Sequence, residues 1–245
     1  MGAVLESRLE FEFQPQPDDA ACGPTCLQAV YRFFGDDVPL SELSAEIPRL
    51  ETGGTLAVLL AGHALRRGYG ARIYTYNLSL FDPTWFSDPA LDLAERLRRQ
   101  AEAKPEARLR IATEAYLEYL ALGGELRFEE LRPALVRGHL KRNRPLLCGL
   151  SATYLYGCAR EAGSDRLEYD DVRGDPTGHF VVLCGYRPKE RRVLVADPLQ
   201  DNPRYGVHYY WVHIQRVLGA ILLGVLTSDA NLLVLEPPTT KGVRS

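Results

Sequence analysis

The chain lacks an excess of charge of either sign. Its 29 Lys and Arg stand against 32 Asp and Glu over 245 residues, a formal net charge of −3. That balance leaves no electrostatic footprint for a nucleic-acid partner. A long hydrophobic run is missing too. The longest, Val217 to Leu226, covers ten residues, whereas a helix needs about 20 to cross a bilayer, so no membrane span is expected. The N-terminus, Met1-Gly-Ala-Val-Leu-Glu-Ser-Arg8, has no basic stretch followed by an apolar core and does not read as a secretory signal. Cysteines number five, an odd count, and none are spaced as CxxC. Without an export signal they read as reduced thiols of a cytoplasmic protein. His63, His139, His208 and His213 sit in no HExxH or CxxC context, so no metal site is expected. Gly53-Gly-Thr-Leu lacks the lysine of a phosphate-binding loop, and no cofactor is expected. Internal repeats and low-complexity segments are also absent.

What is present suits a globular fold. Hydrophobic residues make up 46% and charged residues 25%, ordinary for such a chain. A chain this long buries about 70–75% of its unfolded surface and needs no metal or disulfide to fold. Residues 1–16 look extended, with Leu9, Phe11 and Phe13 alternating against Glu10 and Glu12. Helices are predicted at about 24–34 with Gly35 as the stop, at 41–47 and at 55–67, followed by a short strand at 71–76. Residues 81–124 are rich in Ala, Leu, Arg and Glu and read as two helices, 91–103 and 106–122, parted by Pro105. We take this stretch as a helical insertion in a single domain of 1–245. A helix is predicted at about 129–141, then strands at 145–150, 179–186, 192–196 and 231–236, the middle two forming a hairpin. Helices mainly first and strands mainly last point to an α+β fold, a helical half packed on an antiparallel sheet.

Four elements carry chemistry. Cys22-Gly-Pro-Thr-Cys-Leu sits at a loop-to-helix junction, where a helix dipole and free N–H groups favour the nucleophilic thiolate. Gly23 admits a substrate backbone, and Pro24 fits a first helical turn. Cys22 alone could equally be a packed core thiol; Cys26, one turn later, should point into the core. Gly178-His-Phe-Val-Val-Leu starts a buried strand with His179. Asp197 follows the next strand, so a hairpin would bring it to the same end of the sheet, where it could orient the imidazole. Gln16, six residues before Cys22, has a side-chain amide able to donate to an oxyanion; Gln14 is its competitor. Asp175 and Asn202 are the fallback orienters. The cluster Asp170-Asp-Val-Arg-Gly-Asp175 reads as a solvated loop or a cleft rim. Cys148, Cys158 and Cys184 read as structural, and the Tyr154–Tyr156 and Tyr209–Trp211 aromatics as core or cleft wall.

Gln16, Cys22-Gly, a helix stopped at Gly35, Gly178-His179-Phe-Val-Val and Asp197-Pro together resemble the bacteriocin-type double-glycine leader peptidases, a papain-like family of cytosolic cysteine peptidases. The likeness spans about 14–76 and 145–200. It implies a papain-like cysteine proteinase fold, Cys22 as nucleophile, His179 as base, Asp197 as orienter and Gln16 in the oxyanion hole. Ala21 departs from the Asp usual before that cysteine. No transporter or ATPase segment is seen, so the chain reads as a stand-alone relative. A looser likeness to a guanylyl-cyclase-like group shares the Cys-Gly and Gly-His-Phe pieces but lacks a nucleotide-binding loop. The expected activity is cleavage of a peptide or amide bond through a thioester, with a peptide or protein as partner. The alternatives are acyl or peptidyl transfer on the same triad, or a catalytically silent module that binds a peptide.

Overall fold

The computed structural model describes residues 6–18, 20–50, 54–104, 106–163 and 168–238. The first five residues of the lead-in, Gly53 and Pro105 lie outside them. Among the described residues of the lead-in, only Ser7–Arg8 form a strand, β1. Helix α1 (Cys22–Phe33) starts two residues before the expected Pro24, so Cys22 is its first residue, with Ala21 at the N-cap. Pro24 in the first turn needs no N–H partner, and Gly35, at φ +84°, turns the chain out of the helix. Every residue from Cys22 to Tyr31 is buried, which makes α1 a central helix.

Helix α2 (Leu40–Glu46) and α3 (Ala57–Arg66) follow, the latter closed by Gly68 at φ +84°. Next come strand β2 (Gly70–Thr75), α4 (Leu93–Ala103), α5 (Ala107–Ala121) and a short unexpected strand, β3 (Glu125–Arg127). Residues 81–124 do not hang off the body. Leu97, Tyr116 and Tyr119 are buried in the common core, and the Tyr119 hydroxyl donates to the carbonyls of Ala71 and Glu125, at 2.9 and 2.7 Å. Helix α6 (Pro133–Leu140) starts later than 129, because Pro133 supplies its first residue.

The second half runs β4 (Leu146–Ser151), α7 (Ala152–Tyr156), β5 (Glu161–Ala162), β6 (Glu168–Tyr169), β7 (Gly178–Arg187), β8 (Arg192–Ala196), β9 (Tyr209–His213), α8 (Ile214–Leu223) and β10 (Asn231–Glu236). The apolar run 217–226 is largely α8, which buries Val217, Leu218, Ala220 and Ile221. Among the described residues no helix is long and apolar enough to cross a membrane.

The sheet has the order β3-β2-β10-β4-β7-β8-β9. All its pairings are antiparallel except β2 with β3, so it is mixed at one edge. β4 pairs only the first half of β7, and β1 takes the same side of β7 farther on, opposite Gly185 and Tyr186. The fold is therefore α+β, with the cysteine on a helix packed against β7 and the histidine on β7 itself. Helices and strands alternate more than expected: β2 and β10, far apart in the chain, pair over six residues.

Candidate active site

Three local causes bring the site together. The first is the start of α1. Its first N–H groups have no intrahelical partner, and no acidic residue stands in the first turn to neutralise the positive end of the helix. Gly23 lets α1 approach the sheet. A Cβ there would lie 2.6 Å from the Thr55 methyl and 3.4 Å from the Phe180 ring. Cys26 is fully buried, its thiol donating to the Phe180 carbonyl at 3.3 Å, and burial raises its pKa well above the usual thiol value. Cys22, by contrast, keeps 7% exposure.

The second is the β7–β8 hairpin. Val182 stands opposite Ala196, so continuing the register sets Asp197 opposite Val181. Side chains two residues apart share a face of a strand, and His179 and Asp197 become diagonal neighbours on one face. His179 Nε2 donates to Asp197 Oδ1 at 2.8 Å, and the Cys22 side chain stands near enough to the same imidazole to help raise its pKa. With Nε2 committed to Asp197, Nδ1 is the ring nitrogen left for the sulfur. Cys22, His179 and Asp197 thus stand near one another where α1 meets β7.

The third is a pair of phenols. Tyr156, at the end of α7, and Tyr210, in β9, both donate to Asp197 Oδ2, at 2.8 and 2.5 Å. The Leu199 N–H donates to Oδ1 at 3.0 Å. A fully buried carboxylate would otherwise favour its neutral form, but His179 and these donors hold its pKa below the ordinary range. Burial and the Asp197 charge push both phenols up, so they remain donors. Burial by itself would lower the His179 pKa; Asp197 first, then Cys22, outweigh it and raise it to about 10. The tyrosines are the functional residues that sequence reasoning left as core or cleft wall. The clusters 154–156 and 209–211 were visible, but which hydroxyl faces Asp197 depends on the β8–β9 pairing and on α7.

Gln16 is tied in by its backbone N–H, which donates to the Pro198 carbonyl at 3.1 Å, one residue past Asp197. Its Oε1 is buried without a partner. It lines a cleft of about 270 Å³ with Tyr156, Glu161, Tyr169, His179 and Asp201. Gln14 is exposed and is not among the residues lining that cleft. The fallback orienters do other work. Asn202 bonds the carbonyls of Leu199 and Val207 and the N–H groups of Tyr205 and Gly206, bracing the loop after Asp197. Asp175 is exposed and pairs through its backbone with Glu161. The remaining histidines are spoken for: His63 by Tyr31 and Glu46, His139 by Tyr74, His208 by the Asp197 carbonyl, and His213 as N-cap of α8. Among the described residues no group of three or more His, Cys, Asp or Glu is placed to hold a metal ion.

No protein-family model matches the chain, and no curated protein matches it. Solved structures do overlay on it. A putative C39-like peptidase from Bacillus anthracis gives a TM-score of 0.47 at 15% identity, covering 96% of this chain and 100% of that one. The peptidase domain of Streptococcus ComA, a bi-functional ABC transporter involved in quorum sensing, gives 0.43 at 14%, covering 93% and 99%. A double glycine motif protease from an AMS/PCAT transporter, in complex with its leader peptide, gives 0.43 at 12%, covering 94% and 94%.

Proposed function

We propose that the protein is a cysteine peptidase or amidase that cleaves a peptide or amide bond through a thioester, with a peptide or protein as substrate. One observation carries the reading: His179 is hydrogen-bonded to the buried Asp197 and has Cys22, the first residue of α1, acting on the same imidazole. A nucleophile, a base within reach of it and a third group that orients the base is the arrangement acyl transfer needs.

The steps follow from the geometry. His179, held protonated by Asp197, pairs with the Cys22 thiolate. The sulfur attacks the carbonyl carbon, forming the C–S bond and placing negative charge on the carbonyl oxygen. Gln16 and the unpaired N–H groups at the start of α1 stabilise that charge as it develops. The tetrahedral species collapses, the C–N bond breaks, and His179 gives its proton to the departing amine. Water then enters, His179 takes one of its protons, the hydroxide oxygen bonds to the acyl carbon, and the C–S bond breaks to return the thiolate. We read residues 81–124 as an insertion of a single papain-like domain. The free thiols of all five cysteines fit a cytoplasmic protein.

The test is brief alkylation of native protein with iodoacetamide at neutral pH, read by mass spectrometry. Cys22 should label well before Cys26, and a peptide library should then yield fragments that Cys22→Ala does not release. Labelling of Cys26 with Cys22 untouched would overturn the assignment. Products joined to an added amine, with no free acid, would replace hydrolysis by transfer.

A further inference from the structure

The cleft beside the base has walls that the mechanism does not use. Gln16 and His179 line it, and so do Glu161, Tyr169 and Asp201. Glu161 and Tyr169 come from the two strands of the β5–β6 hairpin and stand directly opposite each other, so their side chains share one face. Burial, then Cys158 and the Glu161 charge, raise the Tyr169 phenol above its usual pKa, which sets the carboxylate close to the ring. The hairpin is also tied to the strand of the base. Glu161 and Asp175 exchange both backbone hydrogen bonds, at 3.1 and 2.8 Å, and Asp175 lies four residues before His179. The carboxylate and the ring are thereby anchored near the imidazole.

The cleft carries charge of one sign. The base apart, its charged lining is Glu161 and Asp201, and no Lys or Arg is part of it. The guanidinium groups of the flanking segments are engaged elsewhere: Arg160 on the carbonyls of Asp171 and Val172, Arg173 on Asp170, and Arg204 on the Tyr156 carbonyl. Among the described residues no ion pair reaches Glu161 or Asp201.

Tyr169 is 57% exposed, an open aromatic face beside a carboxylate. Elsewhere the chain answers that combination with its own arginines. Arg187 lies 4.1 Å over the Trp211 ring while its Nε donates to Glu6 at 3.0 Å. Arg67 lies 5.6 Å from the centroid of Tyr31 and donates to Asp36 at 3.0 Å. Glu161 and Tyr169 offer the same pairing of ring and carboxylate to a cation from outside the chain.

We propose that Glu161 and Tyr169, with Asp201 adding charge, form a subsite that takes a basic side chain, Arg before Lys, from the half of the peptide that leaves as the amine. A guanidinium stacks on a ring and bonds a carboxylate at its edge at the same time, which an ammonium does less well. The placement follows from the chemistry. His179, which hands its proton to the departing amine, lines the cleft, whereas Cys22, which keeps the acyl half, is not among the lining residues. The inference rests on the peptidase reading above, and the test keeps the two apart.

Three dipeptide amides stand for the departing half: Arg-Gly-amide, Lys-Gly-amide and citrullyl-Gly-amide. Citrulline keeps the length and planarity of arginine without its charge. NMR titration of the native protein gives their Kd values. The Arg amide should bind at least about fivefold more tightly than the citrullyl amide, with the Lys amide between them, the scale that one exposed ion pair plus one cation–π contact supplies. Amide signals of Glu161 and Tyr169 should be among those that shift. In Glu161→Gln, checked for folding by circular dichroism, the Arg-to-citrulline ratio should fall toward one, and in Tyr169→Leu it should fall part of the way. No binding by any probe, equal Kd values for Arg and citrulline, shifts confined to other parts of the protein, or a ratio that survives in a folded Glu161→Gln overturns the subsite. Cys22 untouched by iodoacetamide would sink the nucleophile instead, a result on which the Kd values do not depend. Among peptides that the enzyme cuts, Arg or Lys should follow the cut; enrichment before it overturns the placement on the leaving side.

Discussion

Replacing Asp197 by Asn removes one charge from the centre of the site and keeps the shape. In the wild type the imidazole of His179 is buried, which alone disfavours its charged form, yet it titrates near 10. An unperturbed histidine titrates near 6.5. The difference of about 3.5 pH units corresponds to about 5 kcal/mol in favour of the imidazolium, and Asp197 is its chief favourable source. Without that carboxylate, desolvation acts against only the smaller contribution of Cys22. The His179 midpoint should then fall by about three pH units or more. The sign for stability follows. A base whose folded pKa exceeds its unfolded one contributes fully below about 6.5 and loses that contribution as pH rises to about 10. The wild type should therefore weaken between those limits, and Asp197→Asn should lack that slope. Turnover should drop by about 10²–10⁴, since the variant can also hold the wrong tautomer. NMR titration of His179, with urea unfolding at pH 6.5 and 10, measures both. A His179 midpoint unchanged in a folded variant would refute the reasoning, because some other group would then be holding the charge.

Gln16→Ala should lower kcat about 10²–10³-fold with little change in KM, as for loss of one oxyanion donor, while Gln14→Ala should leave both unchanged; the reverse pattern in steady-state kinetics would move the role to Gln14. Tyr156→Phe and Tyr210→Phe each remove a hydrogen bond to a buried carboxylate and should each destabilise the fold by about 1.5–3 kcal/mol, read by denaturant unfolding. Asp229 has a folded pKa near 8 against about 3.9 unfolded, so the native state holds its proton more tightly and the wild type loses stability as pH rises from about 4 to about 8. Asp229→Asn should remove that loss and be more stable than wild type by several kcal/mol at pH 9, with a much smaller difference at pH 5; equal differences at both would contradict this. Gly178→Ala sets a methyl 2.8 Å from both Asp229 Oδ2 and Thr227 Oγ1 and should destabilise by about 1–3 kcal/mol, whereas Gly54→Ala, with nothing within 4 Å, should be close to neutral in the same assay.

Local signals in the sequence determined the elements that carry the site. The loop-to-helix junction at Cys22, the stop at Gly35 and the hairpin of β7 and β8 depend on neighbours a few residues away, through capping, backbone freedom and period-2 burial. Even the proximity of His179 and Asp197 was legible, because a two-stranded hairpin fixes its own register. Contacts between distant segments were decided by the tertiary structure alone. Pairing of β10 with β2 joins two distant segments, and no local pattern encodes a partner about 160 residues away. β9 and α7 were missed because short or strongly apolar stretches read alike as helix, strand or core. With them went the two tyrosines on Asp197, whose role exists only once β9 lies beside β8 and α7 covers the end of β4. Asp229 shows the same division. In sequence it is an acidic residue in a turn before a strand. Its meaning comes from Gly149 and Gly178, two glycines on different strands, whose missing side chains leave room for a carboxyl beside the base.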